Sequence, residues 1–386
     1  MLKPDYENST LNLLASIEKS LGGKPKYKPL REIDLSEMKD FKNVVFMVVD
    51  GLGYEFLMKH GKNTKFNENI VGKITSTFPT STSAARTGLM TGLSPQEHGI
   101  TGWYMFSKEL GCQIIPLPYV PRFRGFDFGK ILEINKMFRL TSFVDKLKVE
   151  THIVLNEKII SSRFTRAVSG KAKRRGYKNM KDFFIKIMNI TKSNNQRKFI
   201  FSYYNEFDGL CHDYGSESKK TLNHFDRFAK KLEIFLKSLN DTIVIITADH
   251  GIKELDKGKS INLKDHPKLK ETLVMPLTGE GRFAYAYVKL GMEKEFEKYV
   301  KNILGKYCEL FKSEDLLKKG YFGKFKIHKD FLDRIGDYTI IMKGDYSIGD
   351  SLETKKKGSF NIGDHGGLSK EELYVPVIVI KSKIIS

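Results

Sequence analysis

Four short runs of consecutive apolar, largely β-branched residues constrain this chain more than anything else in it. They are Val44–Val49 (VVFMVV), Phe199–Tyr204 (FIFSYY), Ile243–Thr247 (IVIIT) and Tyr374–Ile380 (YVPVIVI). Each run is continuous rather than alternating, and a strand needs that only when both its faces are covered. Polar or glycine-rich residues follow each run, and helical patterns such as Thr221–Leu239 lie between them. The alternation predicts an α/β fold with a mostly parallel sheet, whose chemistry sits beyond the carboxyl ends of the strands.

Two stretches break that rhythm. Residues 106–195 carry weaker strand signals and a basic helical tract, in which Arg163–Lys198 holds twelve Lys/Arg against one acid, Asp182. Residues 252–360 have helices of their own, such as Lys294–Leu310, and a strand over Phe283–Val288. There is no internal repeat and no low-complexity linker. The economical division is a core built from 41–105, 196–251 and 361–386, with insertions at 106–195 and 252–360 near the active edge.

Composition narrows the partners. Apolar residues make up 40% of the 386, enough for a sizeable core, which excludes global disorder. A net charge of +20 favours anionic partners: phosphorylated small molecules, nucleic acid or acidic membrane. The plain alternative is a Lys-rich solvated surface. The cysteines Cys112, Cys211 and Cys308 are odd in number and far apart, and no CxxC occurs, which argues against a disulfide framework and a thiolate zinc cluster. The first residues, MLKPDYENSTLNLL, lack the apolar stretch of a signal peptide, and no run approaches the roughly 18 apolar residues of a membrane helix. A soluble cytoplasmic protein is the expectation.

The chemistry-bearing residues gather at the strand ends. Asp50 closes the first run and precedes Gly51-Leu52-Gly53. The stretch Ser76–Gly88 (STFPTSTSAARTG) breaks at Pro79 and then opens a helix, offering a hydroxyl to the unpaired N–H groups of a helix start. Phe207-Asp208-Gly209-Leu210-Cys211-His212 places Asp208 and His212 on one face of a helical turn. Asp249-His250 follows the third run, and His365 lies in the glycine-rich turn Gly363–Gly367. A lone His or Asp in such a place is usually a cap or a packed residue. Three of each, all at strand ends or glycine turns, form a set of the right size for two divalent ions.

These stretches resemble the alkaline phosphatase superfamily, and within it the type I phosphodiesterase/nucleotide pyrophosphatase family. The matching segments are VVFMVVDGLG, STFPTSTSAARTGLMTGLSPQEHGITGW, NEFDGLCHDYG, ITADHGI and GDHGG. The resemblance implies an alkaline-phosphatase-like three-layer sandwich and two metal ions, usually zinc, with manganese as the alternative. One ion takes Asp208, His212 and His365; the other takes Asp50, Asp249, His250 and the nucleophile hydroxyl. Counting back from Thr91-Gly92 over Ser83–Met90 makes that hydroxyl Thr82, whereas matching on Thr-Phe-Pro chooses Thr77. The Asn that holds a phosphoryl oxygen in better-known members has no counterpart after Pro79. Arg86, one turn beyond Thr82, is the candidate replacement, set against an ordinary packing Arg.

The resemblance implies a metal-dependent phosphodiesterase or nucleotide pyrophosphatase working through a phosphorylated threonine. Its substrate would be a phosphorylated small molecule, a nucleotide among them. A phosphomonoesterase, a phosphonate hydrolase and a phospho-group transferase of the same superfamily are the alternatives, and a non-catalytic anion-binding protein is the distant one. Nucleic-acid contact through 163–198 stays open. His98 reads as structural; His60, His152, His224, His266 and His328 lack ligand spacing; Trp103 reads as packing near the site entrance.

Overall fold

The computed structural model describes residues 1–123, 127–350 and 361–382. Its centre is a seven-stranded sheet in the order Ile70–Thr75, Tyr374–Ser382, Thr242–Thr247, Asn43–Val49, Lys198–Tyr204, Glu150–Asn156, Lys173–Tyr177. The four apolar runs are the four strands occupying its middle and one side. Asn43–Val49 is buried along its whole length and pairs in parallel with both neighbours, Val44 lying opposite Phe199 and Ile243. Tyr374–Ser382 runs antiparallel to both of its neighbours, so the sheet is mostly, not wholly, parallel. Direction is not written in an apolar run.

Helices close the sheet. Thr82–Thr91 packs against Thr10–Ser20. Lys219–Lys237 packs against Met180–Lys192 through aromatic contacts such as Phe184 with Phe228 and Phe235. No helix among the described residues is long and apolar enough to cross a membrane.

The stretch 106–195, expected as an insertion, supplies two strands to this sheet, and that part of the division is corrected. Glu150–Asn156 pairs in parallel with Lys198–Tyr204, and Lys173–Tyr177 forms the edge beyond it. The basic tract is therefore not one helical segment. It holds the short helix Arg163–Val168, the edge strand Lys173–Tyr177 and the helix Met180–Lys192. An edge strand is covered on fewer sides, so it has no need of a long apolar run, and charge on it discourages pairing with other chains. Lys173, Arg174 and Arg175 are accordingly exposed. What stands apart in 106–195 is a small antiparallel sheet beginning at Met105, with strands Met105–Ser107, Cys112–Ile115 and Val120–Pro121.

The second segment builds a four-stranded antiparallel sheet, Thr278–Glu280, Phe283–Ala286, Tyr338–Met342 and Cys308–Lys312. The helix expected over Lys294–Leu310 ends sooner: Glu293–Tyr299 passes into a π-turn at Val300–Leu304, and Cys308–Lys312 is a strand. The break falls at Gly305, a poor helix former. Residues 351–360 of this segment, and 383–386 of the last, lie outside the described residues.

A buried ion pair docks this segment on the core. Arg282, 1% exposed, donates from Nε and Nη2 to the Glu372 carboxylate at 3.2 Å each, and Glu372 also accepts from the Gly367 amide at 2.8 Å. Removing one charge of such a pair strands the other in a dry site. Glu372→Gln is expected to lower the unfolding free energy by about 3 kcal/mol, read by urea titration. A change under about 0.5 kcal/mol would show that the pair holds nothing.

Candidate active site

The carboxyl ends of three central strands converge on one edge of the sheet, and the turns leaving them carry the acids and histidines. Asp50 follows Val49, Asp249-His250 follows Thr247 by one residue, and Asp208 sits in the first turn of the helix Glu206–Tyr214 after Tyr204. Gly51 adopts φ +75°, and a Cβ there would stand 3.2 Å from the Asp208 side chain, so the position suits glycine on both counts. Gly363–Gly367 brings His365 to the same place, where its ring stacks on His250 with centroids 3.7 Å apart.

Three overlapping groups of ligand atoms lie within 4.8 Å of one another: Asp50, Asp249 and His250; Asp208, His250 and His365; His212, Asp364 and His365. All six predicted Asp and His residues are thus brought together. Asp364, which the sequence marks less clearly than its neighbour His365, joins them.

The hydrogen bonds fix which atoms face inward. His212 Nδ1 donates to the Gly363 carbonyl at 2.8 Å, His365 Nδ1 to the Thr80 carbonyl at 2.9 Å, and His250 Nδ1 to the Gly251 carbonyl at 3.2 Å. With each Nδ1 so occupied, each Nε2 is the nitrogen that faces the centre, where the lone pair of the neutral ring can meet an electrophile. Asp249 is held from three sides, by the His250 amide at 3.1 Å, the Gly51 amide at 3.4 Å and the Tyr203 hydroxyl at 2.8 Å. By contrast Asp50 Oδ1 and Asp208 Oδ1 are buried with no hydrogen-bond partner among the described residues.

Electrostatics describes the same site. Burial, then the charges of Asp249 and Asp208, push the Asp50 carboxyl well above its ordinary range. Burial alone would pull His212 down, but the facing Asp208 carboxylate overcomes it and lifts the imidazole to about 10. Buried like charges with orphaned oxygens are costly unless a cation neutralises them. Hard oxygens and imidazole nitrogens, inward-facing and uncompensated, fit divalent cations of the zinc or manganese kind.

Thr82 is the hydroxyl that meets this cluster. It opens the helix Thr82–Thr91, and its Oγ1 stands 3.1 Å from His250 Nε2. Thr80 is spent on the glycine turn, donating to the Gly367 carbonyl at 2.8 Å and accepting from the Gly366 amide at 3.0 Å. Thr77 is fully buried and does not line the cleft.

That cleft has a volume of about 1340 Å³, and both Thr82 and Arg86 line it. Arg86 is 4% exposed, its guanidinium carbon 4.9 Å from the Tyr203 ring centre and 5.6 Å from that of Phe164. Its Nη2 reaches the Thr165 hydroxyl at 3.5 Å, its Nε has no partner, and no carboxylate lies within ion-pair distance among the described residues. Among the described residues, the other Lys or Arg on the cleft wall are Lys158 and Lys264. No Lys or Arg of 163–198 lines it, and several are committed elsewhere, Arg163 to Asp127, Lys173 to Glu150 and Lys186 to Asp182.

Glu280, which no motif marks, enters the site from the second segment. It accepts from the Ser81 hydroxyl and from the Trp103 amide, and its Oε2 lies 3.4 Å from His365 Nδ1. The remaining histidines stand apart from the ligand groups. His98 is fully buried and accepts from the Ile100 amide at 3.0 Å. His60 pairs with Glu217, His152 with Glu150, His224 with Tyr204, His266 with Tyr299 and His328 with Asp330.

Comparison with known proteins agrees with this fold. Murine ectonucleotide pyrophosphatase/phosphodiesterase 5, in an inactive form in complex with AMP, superposes with a TM-score of 0.64 at 18% identity, covering 88% of this chain and 91% of its own. The human protein of the same name gives 0.63 at 17%, covering 88% and 91%. Phosphonoacetate hydrolase from Sinorhizobium meliloti 1021, in complex with phosphonoformate, gives 0.62 at 18%, covering 89% and 90%. At such identities the likeness is one of fold. No curated protein sequence matches the chain. The family model described as type I phosphodiesterase/nucleotide pyrophosphatase matches residues 44–368, a span that holds every Asp and His of the three groups described above, and the chain belongs to that family.

Proposed function

We propose that this chain is a metal-dependent phosphodiesterase or nucleotide pyrophosphatase that hydrolyses phosphodiester or phosphoanhydride bonds through a phosphorylated Thr82. The observation that carries the reading is the Thr82 hydroxyl placed 3.1 Å from His250 Nε2, at a helix start facing a cluster of inward-turned imidazoles and orphaned carboxylate oxygens.

Asp208, His212 and His365 would hold one divalent cation, and Asp50, Asp249, His250 and Thr82 the other, with zinc or manganese the ions proposed. Bound there, the cations supply Lewis acidity, which acidifies the hydroxyl and offsets charge on the leaving oxygen. Thr82 Oγ attacks phosphorus in line, forms the phosphothreonine ester and expels the leaving oxygen; water then attacks the same phosphorus and frees Thr82. The first-turn amides of the helix Thr82–Thr91 and its dipole favour the phosphoryl oxygens. Arg86 reaches the cleft from one turn along that helix and adds a fixed positive charge beside them. The substrate class is a phosphorylated small molecule, nucleotides included. The separated free cysteines support the cytoplasm as its setting.

One observation favours a second reading within the same superfamily. A buried guanidinium with no carboxylate partner among the described residues suits a reacting group carrying an extra negative oxygen, as a phosphomonoester or a phosphonate does. Hydrolysis of bis-p-nitrophenyl phosphate, p-nitrophenyl phosphate and phosphonoacetate by the metal-loaded protein separates the two. Preference for the diester upholds the proposal, and preference for either of the others moves the chain to the second reading. Arg86→Ala is expected to lower kcat/KM about 100-fold on the preferred substrate, the scale of a lost oxyanion donor. An unchanged kcat/KM would return Arg86 to a packing role.

A further inference from the structure

Tyr203 lies in the run FIFSYY and looks like core, yet its hydroxyl ends at the carboxylates of the site. It is 1% exposed, it donates to Asp249 Oδ2 at 2.8 Å, and its ring lies against the Arg86 guanidinium at 4.9 Å. Asp249 has two further donors, the amides of Gly51 and His250, both on its other oxygen Oδ1. Tyr203 is thus the donor that sets the rotation of the carboxylate about its own axis.

We propose that Tyr203 is a positioning residue that orients Asp249, beside Asp50, for one of the two divalent cations and not for the other. The inference rests on the two-cation reading above. Its selectivity follows from the layout: Asp208, His212 and His365 have their own orienting contacts to backbone carbonyls and to one another, and none runs through Tyr203. A phenylalanine keeps the ring that packs on Arg86 and removes only the hydroxyl. Tyr204, the next residue in the same strand, is the matched control. It too is fully buried, but its hydroxyl bonds Glu206 at 2.7 Å and His224 at 3.0 Å, away from the ligand groups.

The test is zinc titration of the metal-free wild type, Tyr203→Phe and Tyr204→Phe against a chromogenic chelator, which reads the two sites separately and needs no substrate. Wild type is expected to take two ions per chain. In Tyr203→Phe one site is expected to weaken about 10–100-fold while the other keeps its affinity, the usual cost of losing an outer partner of a ligand. Tyr204→Phe should match wild type at both. Cobalt(II) loading gives a second readout, since the visible band of one site alone should shift. If Tyr203→Phe binds both ions as wild type does, or loses both equally, the positioning role is overturned and the two-cation reading stands. If wild type takes fewer than two ions, the reading beneath it falls as well.

Discussion

Thr82→Ala is expected to lower kcat by about 10⁴-fold or more while the protein keeps its fold and its bound ions. The size follows from chemistry that has no substitute in the site. An alanine offers no oxygen; Thr80 is engaged with the Gly366–Gly367 backbone and Ser81 with Glu280, and Ser83 is fully buried and does not line the cleft. The fold should survive because Thr82 is only half-buried and opens the helix rather than packing inside it. Thr77→Ala serves as the comparison, since Thr77 lies away from the cleft, and it should leave kcat within about threefold of wild type, an effect worth under 1 kcal/mol. The opposite pattern, an inert Thr77 variant and an active Thr82 variant, would move the nucleophile one register back. Steady-state rates with bis-p-nitrophenyl phosphate at saturating zinc decide it.

Removal of the cations is the second large effect. Dialysis against a strong chelator should abolish turnover, and zinc or manganese should restore it. Stability should change with activity, because the buried carboxylates Asp50, Asp208 and Asp249 lose what neutralises them. A ligand present at about 100 times its Kd adds roughly 2.7 kcal/mol per site, so two sites should raise Tm by at least about 5 °C over the metal-free protein. Differential scanning calorimetry of the two forms measures this. Full activity in chelator, or identical Tm values, would mean that the ligand cluster holds no ion that matters.

The sequence discloses the interior of this protein better than its margins. Val44–Val49, Phe199–Tyr204 and Ile243–Thr247 are recognisable because strands covered on both faces have no place for polar residues, and they prove to be adjacent in the sheet. Lys173–Tyr177 (KRRGY) is a strand too, but at an edge, where solvation permits charge and erases the signal. Ile70–Thr75, at the opposite edge, has alternating exposure along its first four residues and is missed for the same reason. The site divides in the same way. Asp50, Asp208, His212, Asp249, His250 and His365 carry chemistry unusual at a strand end, so residue type and place together mark them. Glu280 arrives from a separate segment with no motif around it. Tyr203 is hidden by its own surroundings, because an aromatic inside FIFSYY looks like core until the direction of its hydroxyl is known.

The proposed reaction turns on a covalent bond between Thr82 and phosphorus, which acid-quenched mass spectrometry detects. Metal-loaded protein is mixed with bis-p-nitrophenyl phosphate, quenched in acid within the first turnovers and digested, and the peptides are sequenced by fragmentation. A phosphoryl adduct is expected on the peptide containing Thr82, localised to that residue and absent from Thr82→Ala. An adduct on Thr77, Thr80 or any other side chain, or full turnover by Thr82→Ala, would contradict it.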